Sequence, residues 1–241
     1  MAPKPLNPEI LDAVIYTEMC DQIEKMVNQG QKKYPKYTNH SNPIPTKIIP
    51  ITKGKDFCFL SQEKDRVVVC LQGSVSKGCN RKTLKRWINN AKARALRNPN
   101  YHDGMHDAAE QFKADILNHI TAHRSELGKD VPVHVVGLSR GGGMGVFAAI
   151  YLADQLHEYI KMTGFGIPRV LGRSWREKFN KLNIHCTNVQ NNRDWICAAG
   201  APVFKTVGYV KTLPVPVSWR GLISGPVARH TRYVENVKRL S

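Results

Sequence analysis

A serine lies among glycines in the segment GLSRG, at residues 137–141, between a β-branched run and an alanine-rich apolar run. A nucleophilic serine must project from a sharp turn between a strand and a helix, which leaves no room for side chains two positions away on either side. Gly137, Ser139 and Gly141 meet this requirement as a G-x-S-x-G elbow. The chemistry that the elbow indicates is attack on a carbonyl, with the positive end of the following helix near the developing oxyanion.

Two other interpretations of this segment are a plain strand-to-helix turn and a phosphate-binding loop. A Walker A loop needs Gly-Lys-Ser/Thr, which neither this segment nor GSVSKGCN at 73–80 contains. The dinucleotide-binding pattern G-x-G-x-x-G fails because Val146 stands at the position of its third glycine. The plain turn therefore stays open as the alternative to a nucleophile.

A nucleophilic serine needs a histidine base, and hydrolases with this elbow carry first the acid and then the histidine after the serine. Three histidines follow Ser139 in the chain. His157 lies within the helix predicted after the elbow, and His185 lies within a predicted strand that precedes any acid-bearing loop. His230 is therefore the candidate base.

The acid is expected between Ser139 and the candidate base. Asp154 and Glu158 lie far along the helix after the elbow, and Glu177 lies in another predicted helix. Asp194 directly follows a predicted strand in NVQNNRDW, where loops at sheet ends present catalytic groups. Asp194 is the candidate acid, with the role of holding the histidine tautomer and stabilising the imidazolium. The alternative is that Asp194 caps a turn and His230 caps a helix.

Strands that alternate with helices must position these residues. Apolar runs predict strands, and apolar residues at helical spacing predict helices between them. This order predicts an α/β fold in one domain over residues 1–241, with a mostly parallel sheet and helices on both faces. The predicted segments are strands at 57–62, 66–73, 131–137, 162–168 and 182–191, helices at 8–29, 107–127, 142–160, 172–182 and 225–240, a covering loop at 30–54, and a hairpin at 204–214.

The charge of the chain is strongly basic, because 36 Lys and Arg residues face 19 Asp and Glu residues, for a formal net charge of +17. Such a surface attracts nucleic acid, anionic lipid headgroups or acidic proteins. Nucleic-acid binding is not indicated, because the charge is spread over the whole chain and no RRM, KH or zinc-finger pattern is present.

Neither a metal nor a cofactor is indicated. The six cysteines are scattered without a C-x-x-C pair, so we expect mostly reduced, partly buried thiols. His102 and His106 would share a metal only on a helix, which the glycine between them disfavours, and a loop that enters a helix is the better interpretation. No apolar run of about 18 residues and no secretory signal is present, so the cytoplasm is the expected location by default.

From about residue 57 to the C-terminus, the segments resemble the lipase class 3 family, the fungal-type triacylglycerol lipases of the α/β-hydrolase fold. The matches occur in a consistent order along the chain. They are VVVCLQGSV for the strand that ends in Arg-Gly-Ser/Thr, KTLKRWINNAKA for the lid with its central tryptophan, GMHDAAEQF for the Val-His-x-Gly-Phe stretch, GLSRGG for the elbow, FGIPRVLG for FGxPRVG, NNRDW for the acid loop and RHTRY for the histidine before the final helix.

The resemblance implies Ser139 as nucleophile, Asp194 as acid and His230 as base, with no cofactor. It also implies an oxyanion hole formed by the backbone N–H groups of Ser74 and Arg140. The elbow itself supports the second donor, since the residue after the nucleophile has its N–H at the helix start.

Three residues depart from the family pattern. Leu138 and Arg140 replace the usual His and Leu beside the nucleophile, and Gln72 replaces the Arg of Arg-Gly-Ser. The Arg140 side chain is expected either to favour an anionic substrate or to point into solvent.

The resemblance further implies an amphipathic lid, with Leu84, Trp87 and Ile88 on its apolar side and basic residues around them. Such a composition suits peripheral contact with an anionic membrane or lipid surface. The alternative is a solvated basic helix that packs through its tryptophan.

The expected function is that of a serine hydrolase that cleaves carboxylic esters, a lipase- or phospholipase-type acyl hydrolase with a lipid or other ester substrate. The alternatives are a non-lipid serine esterase and a non-catalytic, lipase-like interaction module.

Overall fold

The computed structural model describes residues 6–31, 34, 47–73, 98–192, 194–198, 204–214 and 232–240. Five predicted site residues lie outside these ranges: Ser74, Leu84, Trp87, Ile88 and His230. The elements in chain order are α1 (Pro8–Asn28), β1 (Lys47–Lys53), β2 (Asp56–Gln62), β3 (Val67–Leu71), α2 (Asp103–Leu127), β4 (Val133–Leu138), α3 (Arg140–Leu156), β5 (Ile160–Phe165), α4 (Arg173–Lys181), β6 (Ile184–Asn191), the 3-10 turn Trp195–Ala198, β7 (Tyr209–Leu213) and α5 (Tyr233–Arg239).

The strands of the described ranges form one seven-stranded sheet in the order β1 to β7. β1, β2 and β3 pair antiparallel, and every pair from β3 to β7 is parallel. Because right-handed crossovers between sequential parallel strands place their helices on the same face, α2 and α3 pack together over one side of the sheet. The α/β prediction of a mostly parallel sheet is confirmed.

The two faces of the sheet have separate apolar cores, as β3 shows, because its successive side chains point to opposite faces. Val67, Val69 and Leu71 pack with α2 and α3, whereas Val68 and Cys70 pack with α1 and α5. The uninterrupted apolar sequence of β3 follows from burial on both faces. Helices therefore cover both faces, as predicted.

Helix α1 is an integral layer of the fold. It begins where the side chain of Asn7 accepts a hydrogen bond of 2.9 Å from the backbone N–H of Glu9, a typical N-cap. Its inner face buries apolar residues, of which Met19 and Ile23 are completely inaccessible. The hydroxyl of Tyr16 donates a hydrogen bond to Glu63 at the end of β2, so the helix is tied to the sheet by a polar contact as well.

Strand β1 lies inside the segment 30–54 that was expected to be a covering loop, so that expectation is wrong for Lys47–Lys53. Pro50 has no N–H to donate to a strand ladder. β1 forms the first edge of the described sheet, and an edge strand tolerates proline on its unpaired side.

The hairpin predicted at 204–214 is also wrong. The segment contains one strand, β7, which pairs parallel to β6, while Lys205 forms an isolated bridge with Leu171. Gly208 lies in the middle of this segment, where a glycine is typical of a hairpin turn. Instead it has φ +72° and a Cβ there would lie 2.4 Å from the carbonyl oxygen of Cys186, so the glycine lets the chain pass close to β6 before β7 begins.

Helix α2 begins at Asp103 and so includes His106, where a loop leading into the helix had been expected. Packing outweighs the helix cost of Gly104, because Met105 is buried and the His106 ring lies among three aromatic rings, Tyr101, Phe147 and Trp175. No group of three His, Cys, Asp or Glu residues that could hold a metal occurs within the described ranges.

Two further findings concern the same described ranges. The five cysteines there are free thiols without disulfide bonds. All five are buried, whereas only partial burial was expected. None of the helices there is long and apolar enough to cross a membrane.

Candidate active site

Ser139 lies between β4 and α3 in a strained backbone conformation, with φ 56° and ψ −119°. Positive φ is uncommon for a residue with a side chain, and such strain persists only where the surroundings impose it. Here the Ser139 N–H donates a hydrogen bond of 2.7 Å to the carbonyl of Phe165, and its own carbonyl accepts one of 3.0 Å from Gly143. The serine is therefore held at the carboxyl edge of the parallel strands, at the start of α3.

The two glycines of the elbow are required by close backbone contacts. A Cβ on Gly137 would lie 2.4 Å from the carbonyl oxygen of Gly141. A Cβ on Gly141 would lie 2.2 Å from the carbonyl oxygen of Leu71, at the end of β3. Backbone atoms cannot give way as a flexible side chain can, so the G-x-S-x-G spacing has the steric origin that the sequence predicted.

The chain that leaves β3 runs directly beside the elbow. A Cβ on Gly73 would lie 2.8 Å from the carbonyl oxygen of Leu138, and Gln72 donates its backbone N–H to Phe57 over 3.0 Å. The Gln72 side chain, which replaces the family's arginine, is buried and donates a hydrogen bond to Glu24 of α1. Ser74, the candidate first oxyanion donor, follows Gly73 in the chain and lies outside the described residues.

The expectation that the Arg140 side chain points into solvent is wrong. Its guanidinium donates two hydrogen bonds to the carboxylate of Asp56, over 2.6 Å and 3.1 Å, which direct it along the sheet edge to the start of β2. No local pattern predicts this pair, because the two residues are 84 positions apart.

Asp194 lies in the loop that follows β6 and is buried. Its backbone N–H donates to the carbonyl of Asn191, and its Oδ1 accepts a hydrogen bond of 3.0 Å from the N–H of Ile196. The carboxylate thus does cap the 3-10 turn, as the alternative interpretation held, while its Oδ2 is engaged elsewhere. A buried carboxylate needs such donors to offset the loss of water.

Tyr233, which is not among the predicted site residues, is the donor to that second oxygen. Its hydroxyl donates a hydrogen bond of 2.6 Å to Oδ2 of Asp194 and accepts one of 3.0 Å from the backbone N–H of Asn191. Burial raises the pKa of the Tyr233 phenol, and the neighbouring Cys197 and Asp194 raise it further, so the hydroxyl stays protonated. The available signal was its place in RHTRY, three positions after His230.

The fold brings Ser139 and Asp194 to the same edge of the sheet. They follow β4 and β6, with β5 between them. Hydrogen bonds connect the ends of these strands, from Ser139 to Phe165 and from Gly166 to Val189. His230 lies outside the described residues, but Tyr233, three residues later, contacts Asp194 directly.

The sequence profile of the family described as Lipase (class 3) matches residues 68–203, more than half of the chain. The chain belongs to the lipase class 3 family. The match includes both Ser139 and Asp194, and it ends before His230. Membership places the chain among the lipase-type hydrolases. No curated protein sequence matches the chain.

Solved structures of fungal lipases are similar to the chain as a whole. The lipase of Rhizopus microsporus var. chinensis has 15% identity and a TM-score of 0.69, with 97% of this chain and 91% of that chain covered. The triacylglyceride lipase of Rhizomucor miehei has 13% identity and a TM-score of 0.65, with 87% and 82% covered. The triacylglycerol lipase of Penicillium expansum has 15% identity and a TM-score of 0.59, with 87% and 81% covered. At these identities the likeness shows the fold, which is the α/β-hydrolase fold of class 3 lipases.

Proposed function

We propose that this lipase class 3 protein hydrolyses carboxylic esters of lipids through an acyl-enzyme on Ser139. The observation that carries the proposal is the strained Ser139 elbow, packed against the end of β3 and flanked by two glycines at which a Cβ would clash with the backbone. A plain turn between a strand and a helix needs none of these features. The buried Asp194 two strands away supplies the acid that such a nucleophile requires.

In the acylation step, Oγ of Ser139 attacks the ester carbonyl carbon while His230 takes the hydroxyl proton. The carbonyl oxygen becomes an oxyanion, for which the backbone N–H groups of Arg140 and Ser74 are the donors. The carbon–oxygen bond to the alcohol then breaks, and the alcohol leaves with the proton from His230. Asp194 keeps the histidine in its productive tautomer and stabilises the imidazolium.

In the deacylation step, a water molecule gives a proton to His230 and attacks the acyl carbon. A second oxyanion forms in the same hole and collapses with loss of Ser139, which regains its proton from the histidine. The products are the free carboxylic acid and the restored enzyme. No step needs a metal or an organic cofactor.

A lipid is the substrate class favoured by family membership together with the basic charge of the chain. One fungal lipase–inhibitor complex of the same fold, at 15% identity and a TM-score of 0.60, is described as a model for interfacial activation in lipases. We assign the equivalent interfacial role to Leu84, Trp87 and Ile88, with the surrounding lysines and arginines in contact with an anionic lipid surface.

The test begins with a fluorophosphonate probe, whose adduct is located by peptide mass mapping in wild type and in Ser139→Ala. Labelling at Ser139 is expected in the wild type alone. His230→Ala and Asp194→Asn should each lower kcat by about 10⁴-fold. His185→Ala and Asp154→Asn, which change the same residue types away from the site, should keep wild-type kcat.

Substrate class is tested by comparing a triacylglycerol emulsion and anionic phospholipid vesicles with a soluble short-chain ester. Preference for the aggregated lipids, lost in Trp87→Ala, supports the lipase assignment. Equal turnover of the soluble ester below and above its solubility limit would indicate a non-lipid esterase. Folded protein that is never labelled, even with anionic lipid present, would indicate a non-catalytic module.

A further inference from the structure

The ion pair between Arg140 and Asp56 joins the elbow to a strand that is not its neighbour. Asp56 begins β2, which runs antiparallel to β3, so its carboxylate lies at the same edge of the sheet as the carboxyl ends of β3 and β4. β3 lies between β2 and β4 in the sheet. The contact between Arg140 and Asp56 therefore crosses the end of β3.

The chain segment under this crossing is the one that leads to the first oxyanion donor. Gln72 is held by its hydrogen bond to Phe57, the residue next to Asp56. On the other side, Gly141 lies against the carbonyl of Leu71, and Gly73 lies against the carbonyl of Leu138. The segment 71–73 thus lies between the start of β2 and the elbow. The ion pair connects these two neighbours directly across the segment.

We propose that the Arg140–Asp56 ion pair is a clasp that holds the segment 71–73, which leads to the first oxyanion donor, against the elbow that carries the Arg140 N–H. This role rests on the proposed function, because the two donors are assigned there. Arg140 contributes its backbone N–H to the hole, and Asp56 is a positioning residue that never touches the substrate.

The chemistry of the pair suits this role. The planar guanidinium meets the carboxylate with two parallel hydrogen bonds, which fix direction as well as distance. The Asp56 side chain is 7% exposed and that of Arg140 is 20% exposed. At this burial the cost of removing both charges from water offsets most of their attraction, so the pair is better explained by geometry than by stability.

The experiment measures kcat and KM for a soluble ester, and the affinity for an alkyl boronic acid, in wild type, Asp56→Asn and Arg140→Lys. The boronic acid forms a tetrahedral adduct on the serine and so reports the oxyanion hole. A hole that is displaced by a fraction of an ångström should lower kcat and boronate affinity together by about 10- to 100-fold, with KM nearly unchanged. The double variant Asp56→Arg, Arg140→Asp, which reverses the ion pair, should recover part of the lost kcat and part of the lost boronate affinity.

Glu158→Gln is the matched control, since it breaks the half-buried pair of Glu158 with Arg124 at the opposite edge of the sheet. It should leave kcat and boronate affinity at wild-type values. All rates are normalised to the folded fraction measured by near-UV circular dichroism, so a variant that folds poorly still gives a value per folded molecule.

The outcomes separate the clasp from the proposed function. Wild-type kcat and boronate affinity in both Asp56→Asn and Arg140→Lys, with Ser139 labelled by fluorophosphonate, would overturn the clasp alone. A lower melting temperature without a change in kcat per folded molecule would also overturn it, because the pair would then be merely structural. Wild-type protein that is not labelled at Ser139 would overturn the proposed function and the clasp with it.

Discussion

The hydroxyl of Tyr233 donates a hydrogen bond of 2.6 Å to Oδ2 of Asp194, across 39 residues of sequence. The same oxygen of Tyr233 accepts a hydrogen bond from the backbone N–H of Asn191, the last residue of β6. The side chains of Tyr233 and Asp194 are buried, so these hydrogen bonds form without competition from water. The first turn of α5 is thereby fixed to the loop that carries the candidate acid, and the histidine proposed as the base precedes that turn by only three positions.

Tyr233→Phe is expected to weaken both stability and catalysis. The change removes one donor from a buried carboxylate and leaves the Asn191 N–H without its acceptor, at a cost of about 1–3 kcal/mol in the free energy of unfolding. Because Asp194 would then be held less firmly, kcat for an ester should fall by about tenfold while KM changes little. Urea unfolding and steady-state kinetics measure the two effects.

Tyr159→Phe is the matched control. Its hydroxyl also makes a hydrogen bond, of 3.0 Å to Nδ1 of His185, but the side chain is exposed and lies at the other edge of the sheet. This substitution should change the free energy of unfolding by less than about 0.5 kcal/mol and leave kcat unchanged. Equal losses in the two variants would show that Tyr233 has no special relation to the acid.

The sequence could predict the elements whose signal is local. β3 and β4 are each rich in valine, so their positions were evident, and the elbow followed from the spacing of Gly137, Ser139 and Gly141 alone. Asp194 could be proposed from its place just after a strand, since the carboxyl ends of parallel strands share one edge.

Contacts between distant segments could not be predicted in the same way. The pairing of Arg140 with Asp56 depends on the antiparallel turn from β2 to β3, which no spacing in the sequence reveals. The edge strand β1 was hidden by Pro50, and the start of α2 was hidden by Gly104, because in both places tertiary structure outweighs local propensity. The contact of Tyr233 with Asp194 likewise joins segments 39 residues apart.

Gly141→Ala is expected to disrupt the elbow. The new Cβ would meet the carbonyl oxygen of Leu71 at 2.2 Å, and only a shift of the backbone could relieve the clash. We expect a loss of more than about 2 kcal/mol in the free energy of unfolding and a fall in kcat of at least about 100-fold.

Gly145→Ala, one turn further along α3, provides the comparison for this change. There the nearest atoms to the Cβ all belong to side chains, those of Met162 and Val135 at 3.3 Å and Leu71 at 3.8 Å, and alanine favours the helix by about 1 kcal/mol. The variant should be close to wild type in stability and in kcat. Retention of activity in Gly141→Ala would contradict the steric account of the elbow.

Ile23→Ala tests whether α1 belongs to the core of the domain. Ile23 is completely buried in the apolar core that α1 forms with the sheet. Truncation should leave a cavity and cost about 2–5 kcal/mol, measured by chemical denaturation. Val27→Ala, at a half-buried position on the same helix, should cost clearly less. Wild-type stability in Ile23→Ala would mean that the helix is dispensable for the fold.

His134 should make the fold sensitive to acid. It lies on β4, with Nε2 at 2.9 Å from the hydroxyl of Thr163. Burial lowers its pKa from 6.5 to about 3, and the positive charges of Lys161 and Arg66 act in the same direction. In the unfolded chain, His134 therefore becomes protonated below about pH 6.5, whereas in the folded chain it stays neutral down to about pH 3.

The neutral His134 makes its full contribution to the free energy of unfolding above pH 6.5. This contribution falls as the pH falls towards 3, by at most about 1.4 kcal/mol per pH unit. His134→Gln keeps an amide donor for Thr163 and removes the titration. Urea unfolding of both proteins between pH 7.5 and about pH 4 should show the wild type losing stability more steeply than the variant below about pH 6.5. Parallel curves for the two proteins would show that His134 is not held neutral by the fold.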